Sequence, residues 1–234
     1  MKKDTEERKV NILQSKKLRT LIEIIACFFL MSIVGAIFNK IADILNSDGL
    51  WVGILIYLVS AIFIILYVEK IEKKPITYIG FKKPVPSDIT KGLLLGLCMF
   101  AVQQIPFLLM GIDYSVFAAE PDWGNTVIMS LYCFLCVGLT EELIFRGFIL
   151  RKTKELCNRK VIIVTINCVL FYAFHWPPVR FVFGEFFNIT VNTLFLCIYF
   201  YRSKNKSIVP LMIAHGFYDI LTAYLLPTFL YIVK

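Results

Sequence analysis

Histidine is almost missing from this chain: His175 and His215 are the only two in 234 residues. Charge is sparse as well, at 18% of residues. No internal repeat, low-complexity segment or separate soluble domain interrupts the sequence. Two familiar catalytic patterns are absent. There is no Gly-x-Ser-x-Gly turn and no His-Glu-x-x-His helix, so serine-nucleophile and zincin chemistry have no support. No short cleavable leader is evident either. The charged tail 1–19 runs into an apolar segment of full spanning length, which reads as an anchor.

What is present is apolar. Hydrophobic residues make up 58% and aromatics 15%, with a mean hydropathy of +0.72. A single soluble core of this size cannot hide that much apolar surface, so lipid must cover part of it. A spanning helix needs about 20 mostly apolar residues, and runs of that order recur. They are Thr20–Phe38, Leu50–Val68, Gly92–Gly111, Val127–Leu150, Val161–Trp176, Phe186–Tyr201 and Ile208–Val233. The expected fold class is therefore all-α, a polytopic transmembrane helical bundle of seven spans, or eight if the last run divides near Pro227. Trp176-Pro177-Pro178 should end the fifth span, because proline cannot continue a helical ladder.

Basic residues fall on one side of these runs. The tail before Thr20 carries seven, the 69–91 connection six, the 151–160 stretch five and the 202–206 connection three. The opposite side has only Lys40, Arg180 and Lys234, and the 112–126 loop holds acids alone (Asp113, Glu120, Asp122). This asymmetry predicts a cytoplasmic N-terminus. It also accounts for the net charge of +8 through topology and anionic lipid, without nucleic acid as a partner. The seven cysteines are scattered, and Cys133-x-x-Cys136 lies inside a span, where small packing residues are the simpler reading than redox or zinc chemistry.

Ionisable residues inside a bilayer cost about 2.5–3.5 kcal/mol each on insertion scales, so each needs a reason. Arg19 and Glu23 lie near the cytoplasmic end of the first run, where they can snorkel. Glu141, Glu142 and Arg146 cannot, since they sit in the middle of the fourth run. Glu142 and Arg146 are spaced i,i+4 with the acid first, the favoured orientation for a pair. That division leaves Glu141 for chemistry. Phe171 lies one turn before His175, and His215 one turn before Asp219. Counted at ~1.5 Å per residue, all four candidate groups (Glu141, His175, His215, Asp219) can meet near mid-membrane. A carboxylate buried beside histidine or a metal can serve as a base near neutral pH. Two imidazoles with one or two carboxylates also match a zinc set that keeps a position open for water.

Glu141-Glu142-x-x-x-Arg146, Phe171-x-x-x-His175 and His215-x-x-x-Asp219, in this order on successive helices, resemble the three motifs of the CPBP family. These are the CAAX-processing-type and bacteriocin-immunity (Abi) intramembrane endopeptidases. The resemblance covers about residues 125–225. It divides the chain into a basic tail (1–19), three N-terminal spans (20–124) and a CPBP-like catalytic region (125–234). It implies hydrolysis of a peptide bond in a membrane-tethered peptide or protein, in a membrane that by this likeness is bacterial. Glu141 would activate water, His175 would assist, and His215 with residue 219 would stabilise the oxyanion. Glu142, Arg146 and Phe171 would support them. A metal, zinc for example, would be held by Glu141, His175, His215 and Asp219, although a metal-free glutamate mechanism also fits the family. Position 219 is more usually Asn there, and an ionised Asp can only accept a hydrogen bond. Asp219 therefore suits orienting His215 or ligating a metal. Two other classes stay open: a catalytically weak relative acting in immunity or binding, and a proton-coupled transporter, for which inverted repeats and broken helices are lacking.

Overall fold

The computed structural model describes residues 2–46, 49–175 and 183–233. Trp176-Pro177-Pro178 and Arg180 lie outside them. Among the described residues the chain forms seven long helices and no strand. These are α1 (Lys2–Leu45), α2 (Gly49–Ile71), α3 (Pro86–Leu109), α4 (Trp123–Leu156), α5 (Lys160–Phe174), α6 (Phe183–Arg202) and α7 (Val209–Ile232). Of these, α2, α3, α4, α7 and the Leu13–Leu45 part of α1 are long and apolar enough to cross a membrane, and α5 is a shorter apolar helix. The last run is one continuous helix through Pro227, so it does not divide.

Local chemistry sets the helix starts. Asp88 accepts from the Val85 N–H at 3.1 Å, and Pro86 occupies the first turn of α3. Asp122 caps α4 by accepting from the Asn125 N–H at 2.9 Å. Pro210 stands in the first turn of α7.

α4 runs through the middle of the bundle. Every residue from 141 to 150 is buried, which requires neighbours on all sides of the helix. The outer helices turn large side chains outward instead, among them Ile22, Phe29, Ile62, Phe63, Leu94 and Val169. An apolar belt of this kind is what lipid tails cover. Glycines let the inner backbones touch. A Cβ at Gly96 would fall 2.7 Å from the Ala214 carbonyl, and one at Gly138 would fall 2.6 Å from the Met212 carbonyl. One at Gly216 would meet the Phe134 ring at 2.7 Å. α7 is thereby pressed against both α3 and α4, as small residues allow between membrane helices.

Charge joins α1, α2 and α4 on one side of the bundle. Lys152 is buried and pairs with Glu23 at 2.6 Å and with Glu72. Glu23 also accepts from Arg19 Nε and from the Tyr67 hydroxyl, each at 2.8 Å. Glu23 thus does not snorkel as its position in the sequence suggests; it is held inside by Lys152, a partner far along the chain.

The connection between α2 and α3 is pinned just as firmly. Ile79 is fully buried in a short 3-10 turn (Ile76–Ile79), and the Gly80 carbonyl accepts from the Ile208 N–H at 2.9 Å. Gly80 has φ +82°, and a Cβ there would lie 2.7 Å from the Lys206 carbonyl, so glycine is required twice over.

Candidate active site

Two π-helical stretches of α4, Cys133–Gly138 and Leu143–Ile149, flank the short α-helical segment that carries Glu141 and Glu142. An extra residue per turn re-aims the side chains on either side, and such stretches recur at functional sites. Asn167 of α5 uses its amide to satisfy the Phe145 carbonyl inside the second stretch, at 2.9 Å. Cys197 of α6 in turn donates to Asn167 Oδ1 at 3.4 Å.

The two glutamates face different partners. Glu142 Oε1 receives Arg146 Nη1 at 2.8 Å and faces His215 Nδ1 at 2.9 Å, and both Glu142 and Arg146 are fully buried. Arg146 also lies over the Phe171 ring, 4.5 Å from its centroid, a stacking worth about 2 kcal/mol when desolvated. Glu141 Oε1 receives the Tyr57 hydroxyl of α2 at 2.9 Å. Its second oxygen is buried with no hydrogen-bond partner among the described residues. That oxygen points towards His215 Nε2, 3.9 Å away, and Asp219 Oδ2 lies 3.7 Å from the same nitrogen. The Asp219 side chain is 26% exposed, against 3% for Glu141, so the group opens on the Asp219 side.

Glu141, Glu142, Arg146, His215 and Asp219 are therefore gathered by direct contacts. His175 joins them through Phe171. Its ring lies 4.7 Å from that of Phe171, which is also 6.1 Å from the His215 ring. His175 Nδ1 donates to the Phe171 carbonyl at 2.8 Å, which orients the ring. Phe171 packs edge-on against Phe145 at 4.8 Å, so its position is set from both sides. Among the described residues no three His, Cys, Asp or Glu side chains are grouped so as to hold a metal ion. Two carboxylate oxygens of the cluster are buried and unpaired, Oε2 of Glu141 and Oε2 of Glu142, and that of Glu141 faces His215 Nε2.

Tyr57 and Thr140 were not singled out in the sequence. Thr140 donates to the Tyr57 carbonyl at 3.1 Å, beside the Tyr57–Glu141 bond. Tyr57 sits in an apolar run where a tyrosine gives no signal, and its partner is 84 residues away. Asn167, a buried amide in an apolar helix, was a legible signal.

No curated protein and no solved structure matches the chain. A family model does, over residues 123–221: type II CAAX prenyl endopeptidase Rce1-like. The match begins at the first residue of α4 and takes in every candidate group except Tyr57. The likeness carried by the three motifs is borne out, and residues 123–221 of this integral membrane protein have the Rce1-like pattern of the CPBP family.

Proposed function

We propose that the protein is an intramembrane endopeptidase that hydrolyses a peptide bond in a membrane-tethered peptide or protein, with Glu141 activating water. The observation that carries this reading is the inequality of the two adjacent glutamates. Each keeps one buried, unpaired Oε2, but the Glu142 carboxylate is engaged by Arg146 and His215 Nδ1, whereas Glu141 Oε2 faces His215 Nε2 on the side where Asp219 is exposed. An unsatisfied buried oxygen costs free energy, and on Glu141 that oxygen is turned to an imidazole nitrogen beside the more exposed Asp219, where a water can reach it.

In this reading a water bound at Glu141 Oε2 gives its proton to the carboxylate as its oxygen bonds to the scissile carbonyl carbon. The carbonyl electrons move to oxygen, and the oxyanion is met by a proton on His215 Nε2. Three carboxylates surround His215, with Arg146 as the other close cation among the described residues, so an imidazolium lowers the net charge of the buried cluster. Nδ1 then donates to Glu142 while Nε2 faces the reaction. Collapse of the intermediate breaks the C–N bond, and the proton on Glu141 passes to the leaving amine. His175 Nε2 is available to accept from water or from that amine. Asp219 helps hold the charge of His215 and borders the open side.

Seven spans with a cytoplasmic N-terminus are part of this reading; the basic-residue asymmetry supports the sidedness, and five of the helices are long and apolar enough to cross. The Rce1-like match makes a peptide with a lipidated CAAX end the first substrate to try. The test is cleavage of a farnesylated, internally quenched CAAX peptide and of co-expressed membrane peptides by wild type and by Glu141→Gln, with elemental analysis of the purified protein. We expect the variant to lose at least about 1,000-fold in kcat, the scale on which removing a catalytic group acts. Equal cleavage by both proteins would end the protease reading. Protection against a secreted peptide that survives Glu141→Gln would instead favour an immunity role by binding. A stoichiometric bound metal would transfer the water-activating step away from Glu141 alone.

A further inference from the structure

The matched segment begins at residue 123, yet the closest partner of Glu141 lies on α2, far outside it. We propose that Tyr57 is a positioning residue of the reaction: its hydroxyl holds Glu141 Oε1 and thereby assigns Oε2 to the water. The inference rests on the endopeptidase reading and deepens it, by making α2 a necessary part of the site.

Geometry supports a dedicated contact. The Tyr57 hydroxyl donates to Glu141 Oε1 at 2.9 Å, and the Tyr57 carbonyl accepts from Thr140, the residue before Glu141, at 3.1 Å. Two bonds from one residue fix both the carboxylate and the backbone that carries it. The Tyr57 ring is held in turn by an edge-on contact with Tyr132 at 5.8 Å. Tyr132 fits there because position 53 is glycine: a Cβ at Gly53 would fall 2.5 Å from the Tyr132 hydroxyl. A carboxylate has two equivalent oxygens and a freely rotating terminal bond, so without such a donor either oxygen could turn towards His215. With it, only Oε2 faces Nε2. Placement of this kind acts on the chemical step, because a misdirected base costs rate without changing how substrate binds.

The experiment uses Tyr57→Phe, which keeps the ring and its packing and removes one oxygen. With the farnesylated CAAX peptide in detergent micelles, kcat should fall about 10- to 100-fold, the loss that matches one hydrogen bond to a charged group. KM should stay within about twofold, and the thermal midpoint should stay close to wild type. A wild-type kcat for Tyr57→Phe overturns the proposal, as does a loss that merely follows a fallen thermal midpoint. A second measurement needs no turnover. The infrared difference between wild type and Glu141→Gln isolates the Glu141 carboxyl band, and Tyr57→Phe should shift that band. An unmoved band overturns the proposal as well. The two failures are separable: an active Glu141→Gln defeats the endopeptidase reading, whereas an inactive Glu141→Gln with an unaffected Tyr57→Phe defeats only the role of Tyr57.

Discussion

Adjacent glutamates on one helix point about 100° apart, and here that angle separates the acid paired with Arg146 from the one proposed to react. Glu142 answers Arg146, itself fully buried, so Glu142→Gln leaves a guanidinium without its carboxylate. Breaking a buried pair on one side costs about 3–5 kcal/mol, and the thermal midpoint in detergent should drop accordingly. Glu141→Gln has no such pair to break and should unfold near the wild-type temperature while losing activity. Comparing the two variants by thermal unfolding and turnover checks the division of roles. Asp219→Asn is expected to keep activity within about tenfold, because an amide in that position can donate to the oxyanion that His215 meets. A larger loss, measured as kcat, would assign the ionised Asp219 an indispensable part. Of these relations, the Glu142–Arg146 pair was legible, since both partners lie one turn apart on one helix. The bond from Glu142 to His215 was not, because it joins residues 73 positions apart and nothing local selects which carboxylate the imidazole meets.

Helices were easier to read than their meetings. The apolar runs predicted each long helix, and their ends moved outward where polar residues continued a helix past the lipid, as in α1 and α4. The order of packing was hidden, because small residues carry no sign of their partner. Gly216 is such a case. Gly216→Ala places a methyl 2.7 Å from the Phe134 ring and 3.0 Å from the Cys133 carbonyl, so α7 must back away from α4. The overpacking should cost about 1–3 kcal/mol, read as a lower thermal midpoint. Activity should fall further than stability alone explains, since the same movement draws His215 from Glu142. The π-helical stretches beside the glutamates were likewise invisible; Asn167 of α5 bonds inside one and α7 packs closely on the other, contacts that no local sequence pattern announces.

At the scale of the molecule, the proposed membrane orientation rests on composition rather than on contacts. Reporter fusions should place residue 1 and the 69–91 connection on the cytoplasmic side, and the loop around Asp113 on the other. A reversed result would undo the proposed topology. The network around Lys152 escaped the sequence reading, since Glu23, Glu72 and Lys152 come from three separate helices. Lys152→Met should lower the thermal midpoint, but by less than Glu142→Gln, because Glu23 keeps Arg19 at 2.8 Å and Glu72 keeps Lys74 at 3.7 Å.

The connection between α2 and α3 has a practical corollary. Rich in lysine and proline and facing the cytoplasm in the proposed topology, it looks the obvious place to splice in an epitope or a fluorophore. Yet Ile79 lies under α4, where a Cβ at Gly147 would strike its carbonyl, and Gly80 holds the residue just before α7. The Tyr78 hydroxyl reaches Glu155, and Lys82 reaches Asn205. A label inserted between Tyr78 and Lys82 would therefore tug on both helices that present Glu141 and His215. Whoever wants a visible but intact protein should leave that stretch untouched.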